Sequence, residues 1–323
     1  MGKNRTIFLS MIFIMTSLIS NAQERAVIDL REGWKFFKGE NDQAFQKDFD
    51  DRDWQRVTVP HDWAIYGPFD KEHDKQTVAI VQNGEEIETE KTGRTGALPY
   101  MGQGWYRTNF NLAQYKQGQK VLLVFEGAMS EPRIFINGQK AGEWNYGYSY
   151  FYFDISPFVK GDGDNTLAVQ LSNRELSSRW YPGAGLYRKV QIIVKNDESF
   201  DQWGTFITTP FIDKEQAKVN IKSKVSGQGL RMVTHILDAQ GDTLAQQATG
   251  SLYGNEFEQN IAVPKPKLWS PESPYLYTAV SQLFKGDALK DVIRTRFGIR
   301  AVSYTHLRAH ETILPISYAD LCL

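Results

Sequence analysis

The sequence predicts an all-β chain built as two successive β-sandwiches. Three observations lead there. Short apolar segments alternate with period two along most of the length, which is the pattern of half-buried strands. The pairs Asn83-Gly84 and Asn137-Gly138 fall between such segments, and Asn-Gly favours the left-handed φ of a two-residue hairpin turn. No long stretch carries the 3.6-residue period of an amphipathic helix.

Taken in order, 27–30 and 33–37 read as short strands, and a further strand is expected from Val57 that ends at Pro60, within Val57-Thr58-Val59-Pro60-His61-Asp62-Trp63. Segments 77–82 and 85–92 alternate on either side of Asn83-Gly84 as a hairpin. Residues 105–112 continue the pattern, 121–125 form a buried-looking apolar run, and 134–136 lead into Asn137-Gly138. Phe153-Asp154-Ile155-Ser156-Pro157 predicts one helical turn, with Ser156 as its cap and Pro157 in the first position. Segments 167–171 and 189–194 complete a set of many short strands. A jelly-roll sandwich is the natural way to bury them.

The polar run at 195–199 marks a boundary. Beyond it, strands are expected over 203–209, 217–225, 232–237, 243–248, 257–263, 277–284 and 289–297, with Pro264, Pro266, Pro271 and Pro274 interrupting before the sixth. Seven short strands in about a hundred residues is the spacing of an immunoglobulin-like sandwich. The only cysteine is Cys322, so this sandwich would be held by burial alone.

A formal net charge of -1 and the lack of any basic run argue against nucleic acid as a partner. An aromatic content of 13 %, with eight tryptophans largely near turns, tilts the chain towards carbohydrate. Residues 1–22 read as a secretory signal: Lys3 and Arg5 start it, 7–19 form a short apolar core, and Ser20-Asn21-Ala22 offers a cleavage point. The expected product is exported, periplasmic or secreted, with no membrane span after cleavage. The expected organisation is a signal over 1–22, a jelly roll over 23–197, an immunoglobulin-like sandwich over 198–301 and a non-native or disordered tail over 302–323.

The stretch Ser178-Arg179-Trp180-Tyr181-Pro182-Gly183-Ala184-Gly185-Leu186-Tyr187-Arg188 carries the most functional information. Its glycines permit positive φ and close approach of the backbone, and its rings offer apolar faces with polar edges that suit a sugar. The same residues also make a plain strand-loop-strand corner whose aromatics plug the end of a sandwich. Five further segments accompany it. They are Val59-Pro60-His61-Asp62-Trp63, Gly104-Trp105-Tyr106-Arg107, Phe125-Glu126-Gly127 with Ile136-Asn137-Gly138, Leu268-Trp269-Ser270-Pro271 with Pro274-Tyr275-Leu276-Tyr277, and Arg296-Phe297-Gly298-Ile299-Arg300. In this order and spacing they resemble glycoside hydrolase family 2, most of all its β-galactosidase branch.

The resemblance implies a sugar-binding jelly roll, then an immunoglobulin-like sandwich, then a catalytic (β/α)₈ barrel that carries both catalytic glutamates and is not present in this chain. It implies a retaining exo-glycosidase acting on terminal β-galactosides, needing no cofactor, with a homo-oligomeric parent. No catalytic residue is expected within this chain, and the fragment should not turn over. Substrate-side residues carried by the motifs are Asp62 as an acceptor from sugar hydroxyls, Arg179 as a donor to them or a holder of a barrel carboxylate, and Trp63, Trp180 and Tyr181 as rings. In related sequences the position of Arg179 can be acidic, a departure that bears on its role.

From Val302 onward the chain resembles translated sequencing-library adapter rather than the family's continuation. His306 and His310 have the i, i+4 spacing of metal ligands but lack a third, and no metal is expected. Glu126, Glu131 and Glu143 read as turn or surface carboxylates, and Asp162 and Asp164 lack the terminal glutamate of a calcium loop. His61, Asp62 and Ser178 lack a nucleophile elbow. Two other function classes compete with the glycosidase. One is a free-standing carbohydrate-binding protein, and the other is an adhesion module with a protein partner.

Overall fold

The computed structural model describes residues 25–70, 76–78, 89–91, 102–113, 115–161, 163–174, 183–250 and 254–301, with backbone alone for 76–78 and 89–91. The expected signal over 1–22, the Asn83-Gly84 turn, the residues Arg179, Trp180 and Tyr181, and the tail over 302–323 lie outside them. The chain divides into two compact units, 23–197 and 198 onward.

In the first unit, β1 (Ala26–Asp29), β7 (Lys120–Phe125), β10 (Phe151–Asp154) and β12 (Val190–Lys195) make a sheet in the order β1-β12-β7-β10. A second sheet runs β3-β2-β6-β11-β8-β9, from β2 (Trp34–Lys38), β3 (Gln55–Val57), β6 (Gly102–Asn111), β8 (Arg133–Ile136), β9 (Gln139–Glu143) and β11 (Asp164–Asn173). Every pairing is antiparallel, and β6 and β11 run together from Gly102↔Asn173 to Asn111↔Asp164. Period-two alternation turns Trp34, Phe36, Tyr106, Leu123, Phe125 and Ile134 into one buried core. Each such apolar side chain contributes about 1.5–3 kcal/mol on burial, which accounts for stability without disulfides.

Asn137 (φ 51) and Gly138 (φ 83) form the tight turn between β8 and β9. The Asn137 side chain ties it down, donating to Phe158 O at 2.9 Å and to Asn165 Oδ1 at 2.8 Å while accepting from Thr166 N at 3.0 Å. A separate ribbon pairs β4 (Gln76–Val78) with β5 (Thr89–Lys91), Thr77 opposite Glu90.

Two local expectations are corrected. The strand expected to run from Val57 to Pro60 instead ends at Val57, opposite Trp34. Pro60 has no N–H to give a ladder, and the side chain of Asp62 takes the Ala64 N–H at 2.9 Å, starting a 3-10 turn over Ala64–Tyr66. The helical turn at 153–157 does not form either. Phe153 and Asp154 are drawn into β10 by pairing with Leu123 and Leu122. Asp154, not Ser156, then does the capping, accepting from Ser156 N at 3.0 Å, and a single Phe158 N to Ile155 O bond closes a β-turn.

Among its described residues the second unit has seven strands in two antiparallel sheets. The order β13-β14-β17 joins β13 (Ser199–Ile212), β14 (Gln216–Ser226) and β17 (Glu256–Pro264). The order β16-β15-β18-β19 joins β15 (Leu230–Leu237), β16 (Thr243–Thr249), β18 (Tyr277–Lys285) and β19 (Ala288–Phe297). Strict alternation along β15 and β17 supplies the core, which gathers Val219, Ile221, Ile236, Ile261 and Tyr277. Two sequence motifs meet here. Trp269 N donates to Ile299 O at 2.8 Å, Gly298 leaves room under the Trp269 ring, and the Arg300 guanidinium lies 5.3 Å from that ring's centre. The Tyr277 hydroxyl accepts from Lys267 N at 2.7 Å and anchors the proline-rich approach to β18.

Among the described residues no helix is long and apolar enough to cross a membrane.

Candidate functional site

Three of the sequence motifs converge at one place in the first unit. Past Val57 the chain passes Pro60 and lays His61-Asp62-Trp63 against Ala184-Gly185-Leu186. His61 N donates to Leu186 O at 2.8 Å, and Trp63 N donates to Ala184 O at 3.0 Å. On the other side, Gly185 exchanges two hydrogen bonds with Met129, at 2.8 and 2.9 Å. Gly185 has φ 124, and a side chain there would strike His61 O and come within 2.6 Å of Tyr106 Oη. Only glycine fits that approach.

Asp62 is the pin of this layer. Its Oδ1 accepts from Ala64 N at 2.9 Å and from Ala184 N at 3.1 Å. One carboxylate thus sets the start of the 3-10 turn and fastens it to the glycine-rich segment at 183–186. His61, beside it, shares a 2.7 Å hydrogen bond between Nδ1 and the Tyr106 hydroxyl. Burial pushes the His61 imidazole below its ordinary value of 6.5, and the neighbouring Asp62 charge opposes that only in part. Tyr106 is fully buried, and loss of solvent pushes its phenol well above 10, so the hydroxyl keeps its proton.

His61 and Asp62 line an open cleft of about 940 Å3, whose walls also include Trp34, Arg56, Tyr66 and Tyr187. Aromatic edges, an imidazole and a carboxylate on one concave surface are recognition chemistry for a polyol. The other carboxylate on the cleft, Glu32, is 70 % exposed and lies 3.6 Å from Arg31. Among the described residues no group of three metal-ligating side chains comes together.

The five sequence-predicted substrate residues therefore fare differently. Asp62 lines the cleft. Trp63 is only 4 % exposed. It stacks on Phe36 at 5.4 Å, packs closely against Gly104, and lines a smaller cleft together with His61 and Tyr66. Arg179, Trp180 and Tyr181 lie outside the described residues. Close to either side of them, the described residues Asn173 and Gly183 are joined by a 2.8 Å bond from Asn173 Nδ2 to Gly183 O.

Sequence reasoning missed two things. One is the Tyr106–His61 pair, which 45 intervening positions conceal. The other is the run from Trp144 to Tyr152, where five aromatic side chains are 39–59 % exposed. The absence of any charged residue from 144 to 153 was the available signal.

Comparison with known proteins accounts for both units. The family model described as "Glycosyl hydrolases family 2, sugar binding domain" matches residues 29–203, and the one described as "Glycosyl hydrolases family 2" matches 200–300. A beta-galactosidase of Bacteroides ovatus, BoGH2A, is 33 % identical over 89 % of this chain and 33 % of its own length. Among solved structures, a glycosyl hydrolase family 2 member from Bacteroides cellulosilyticus matches with TM-score 0.73 and 27 % identity, over 86 % of this chain and 36 % of its own. A beta-glucuronidase of Bacteroides uniformis matches with TM-score 0.70 and 26 % identity, over 86 % and 33 %. The chain spans about a third of the length of the curated relatives it matches.

Proposed function

The chain belongs to the glycosyl hydrolases family 2, and on that premise we propose that it is the N-terminal, sugar-recognising part of an exported, retaining exo-glycosidase that removes terminal β-galactosyl groups. The observation that carries this reading is the cleft pinned by Asp62 within the unit that matches the family's sugar binding domain. In the parent enzyme, Asp62, Arg179, Trp180 and Tyr181 would help to shape the sugar pocket, with Trp63 holding Asp62 in place from the core.

Bond cleavage needs more than this cleft offers. A retaining mechanism uses two carboxylates about 5 Å apart, one as acid/base and one as nucleophile. It must lower the barrier by about 10 kcal/mol or more, whereas one aromatic contact supplies about 1 kcal/mol. The proposal therefore assigns recognition to this chain and turnover to a barrel encoded beyond it. The 33 % identity to a beta-galactosidase supports the galactoside as substrate.

A second reading, a uronic-acid substrate, draws on the beta-glucuronidase structure at 26 % identity. Sequencing of the locus past the codon for Arg300 tests the first point. The expected result is an open frame encoding a barrel with two glutamates, and a stop codon there would refute the proposal. Hydrolysis of p-nitrophenyl galactoside against the glucuronide by the complete product tests the second.

A further inference from the structure

We infer that a buried polar layer across the second unit, centred on Gln259, is a register lock rather than a stabilising contact. It holds the edge strand β17 in one alignment on β14.

The layer recurs at one level of four strands. Along β14, Ser223 stands between the inward-facing Ile221 and Val225, and along β17 Gln259 stands between Ile261 and Phe257. On the other sheet, Thr234 stands between Ile236 and Met232 on β15, and Ser281 between Ala279 and Leu283 on β18. Each of the four polar residues is at most 1 % exposed. Together they divide the interior into two apolar clusters. Ile221, Ile236, Ile261 and Ala279 fall in one, and Val225, Met232, Phe257 and Leu283 in the other.

Within the layer the hydroxyls pair along each sheet. Thr234 Oγ1 lies 3.0 Å from Ser281 Oγ, and Ser223 Oγ lies 3.0 Å from Thr205 Oγ1 on β13. Gln259 reaches to the opposite sheet. Its Nε2 donates to Thr249 Oγ1 at 3.1 Å and Gln247 O at 3.2 Å on β16, and to Met232 O at 3.3 Å on β15. The amide has two protons to share among those three acceptors. Its Oε1 is buried with no partner among the described residues. Three long donor bonds against one unmatched acceptor leave little net stabilisation.

What the amide does control is alignment. Among the described residues β17 is an edge strand, paired in its sheet with β14 alone. A slip of one residue would turn its apolar side chains outward, so the alternation already excludes it. A slip of two keeps the same residues inward and exchanges one apolar side chain for another, except at Gln259. That slip would carry the amide away from Thr249, Gln247 and Met232 and into the place of Ile261 or Phe257, inside an apolar cluster. An unpaired polar group is strongly disfavoured there. Period two removes the odd slips, and the polar layer removes the even ones.

Cysteine pairing in the full chain tests this, on a Cys322→Ser background so that no third thiol competes. Asn220 faces Asn260 on the outward side of the β14–β17 pair, and Ala262 lies two residues further on. With Gln259 in place, Asn220→Cys/Asn260→Cys should close a disulfide under mild oxidation. Asn220→Cys/Ala262→Cys should close about tenfold less, because the diagonal separation is too long for the bond. Mass spectrometry of the digested chain reads both. Adding Gln259→Leu or Gln259→Met should raise closure at 220–262 about tenfold, since the slipped strand no longer buries an amide, and should leave the urea midpoint unchanged or higher. Equal closure of the two pairs with Gln259 in place overturns the lock, as does closure at 220–262 that neither variant changes. A lower midpoint in both variants also overturns it, because the amide would then be holding the fold together and not choosing its alignment.

Discussion

The hydroxyl of Tyr106 lies 2.7 Å from Nδ1 of His61, joining the centre of the β6 strand to the turn that carries Asp62. Tyr106 is fully buried and touches Phe36 and Trp34 as well. The pair fixes the height at which the cleft floor sits over the core. Tyr106→Phe removes one partner and leaves a half-buried imidazole nitrogen unsatisfied, at a cost of about 1–2 kcal/mol. Urea denaturation at neutral pH measures it.

The same pair sets an acid limit. His61 is depressed below 6.5 chiefly by burial, so the folded state resists a proton that the unfolded chain accepts. Its contribution to stability is complete above about pH 6.5 and is lost as the pH falls through the folded value. His61→Phe should flatten the part of the stability profile just below pH 6.5, read from denaturation midpoints across a pH series.

Gly185 is the tightest point of the layer. Gly185→Ala would drive a methyl group into His61 O and the Tyr106 hydroxyl at a backbone φ of 124. The expected loss is about 3 kcal/mol or more, from steric and backbone strain together. A midpoint equal to that of the unaltered chain would contradict the packing described.

Arg107 clamps the loop before β3. Its side chain is 3 % exposed, and it donates to Asp51 at 2.8 Å and to the carbonyls of Ala44, Gln46 and Lys47. Burial tends to raise the Asp51 carboxyl, but hydrogen bonds from Lys35 and Arg107 outweigh it and hold the group below its ordinary value. Arg107→Met keeps roughly the volume but leaves three carbonyls without their donor and takes one of two cations from Asp51, and should cost about 3 kcal/mol. Lys35 remains to pair Asp51, so the loss should sit at the low end for a broken buried pair.

By contrast, Asp50 and Arg52 form an exposed pair whose effect is local. The two side-chain bonds, at 2.6 and 2.8 Å, hold the Asp50 carboxyl at about 2. Arg52→Ala should return it towards 3.8, seen in a carbon NMR titration, with little change in thermal midpoint.

What the sequence showed follows from which forces are local. Period-two alternation made the strands of both sandwiches legible, as in β15 and β17, where every second residue is buried. The Asn137-Gly138 turn was legible because its φ values demand those residue types. The strand expected through Thr58 and Val59 failed because Pro60 and the Asp62 side chain redirect backbone hydrogen bonds to Ala184 and Leu186, more than a hundred positions away. The stacking of Trp63 on Phe36 and its close approach to Gly104 join residues far apart in the sequence, so the motif alone did not show them. The aromatic run at 144–152 passed unread, because alternating aromatics in a β protein also describe a core strand.

The function proposed above gives this chain sugar recognition and places the cleaving carboxylates in sequence beyond it. Its most direct test is steady-state hydrolysis of p-nitrophenyl β-galactoside by two purified proteins, the 323-residue chain and the product of the complete frame. Turnover is expected from the complete product, faster on the galactoside than on the glucuronide, and none above buffer from the 323-residue chain. Enzymic turnover by the 323-residue chain itself would contradict it.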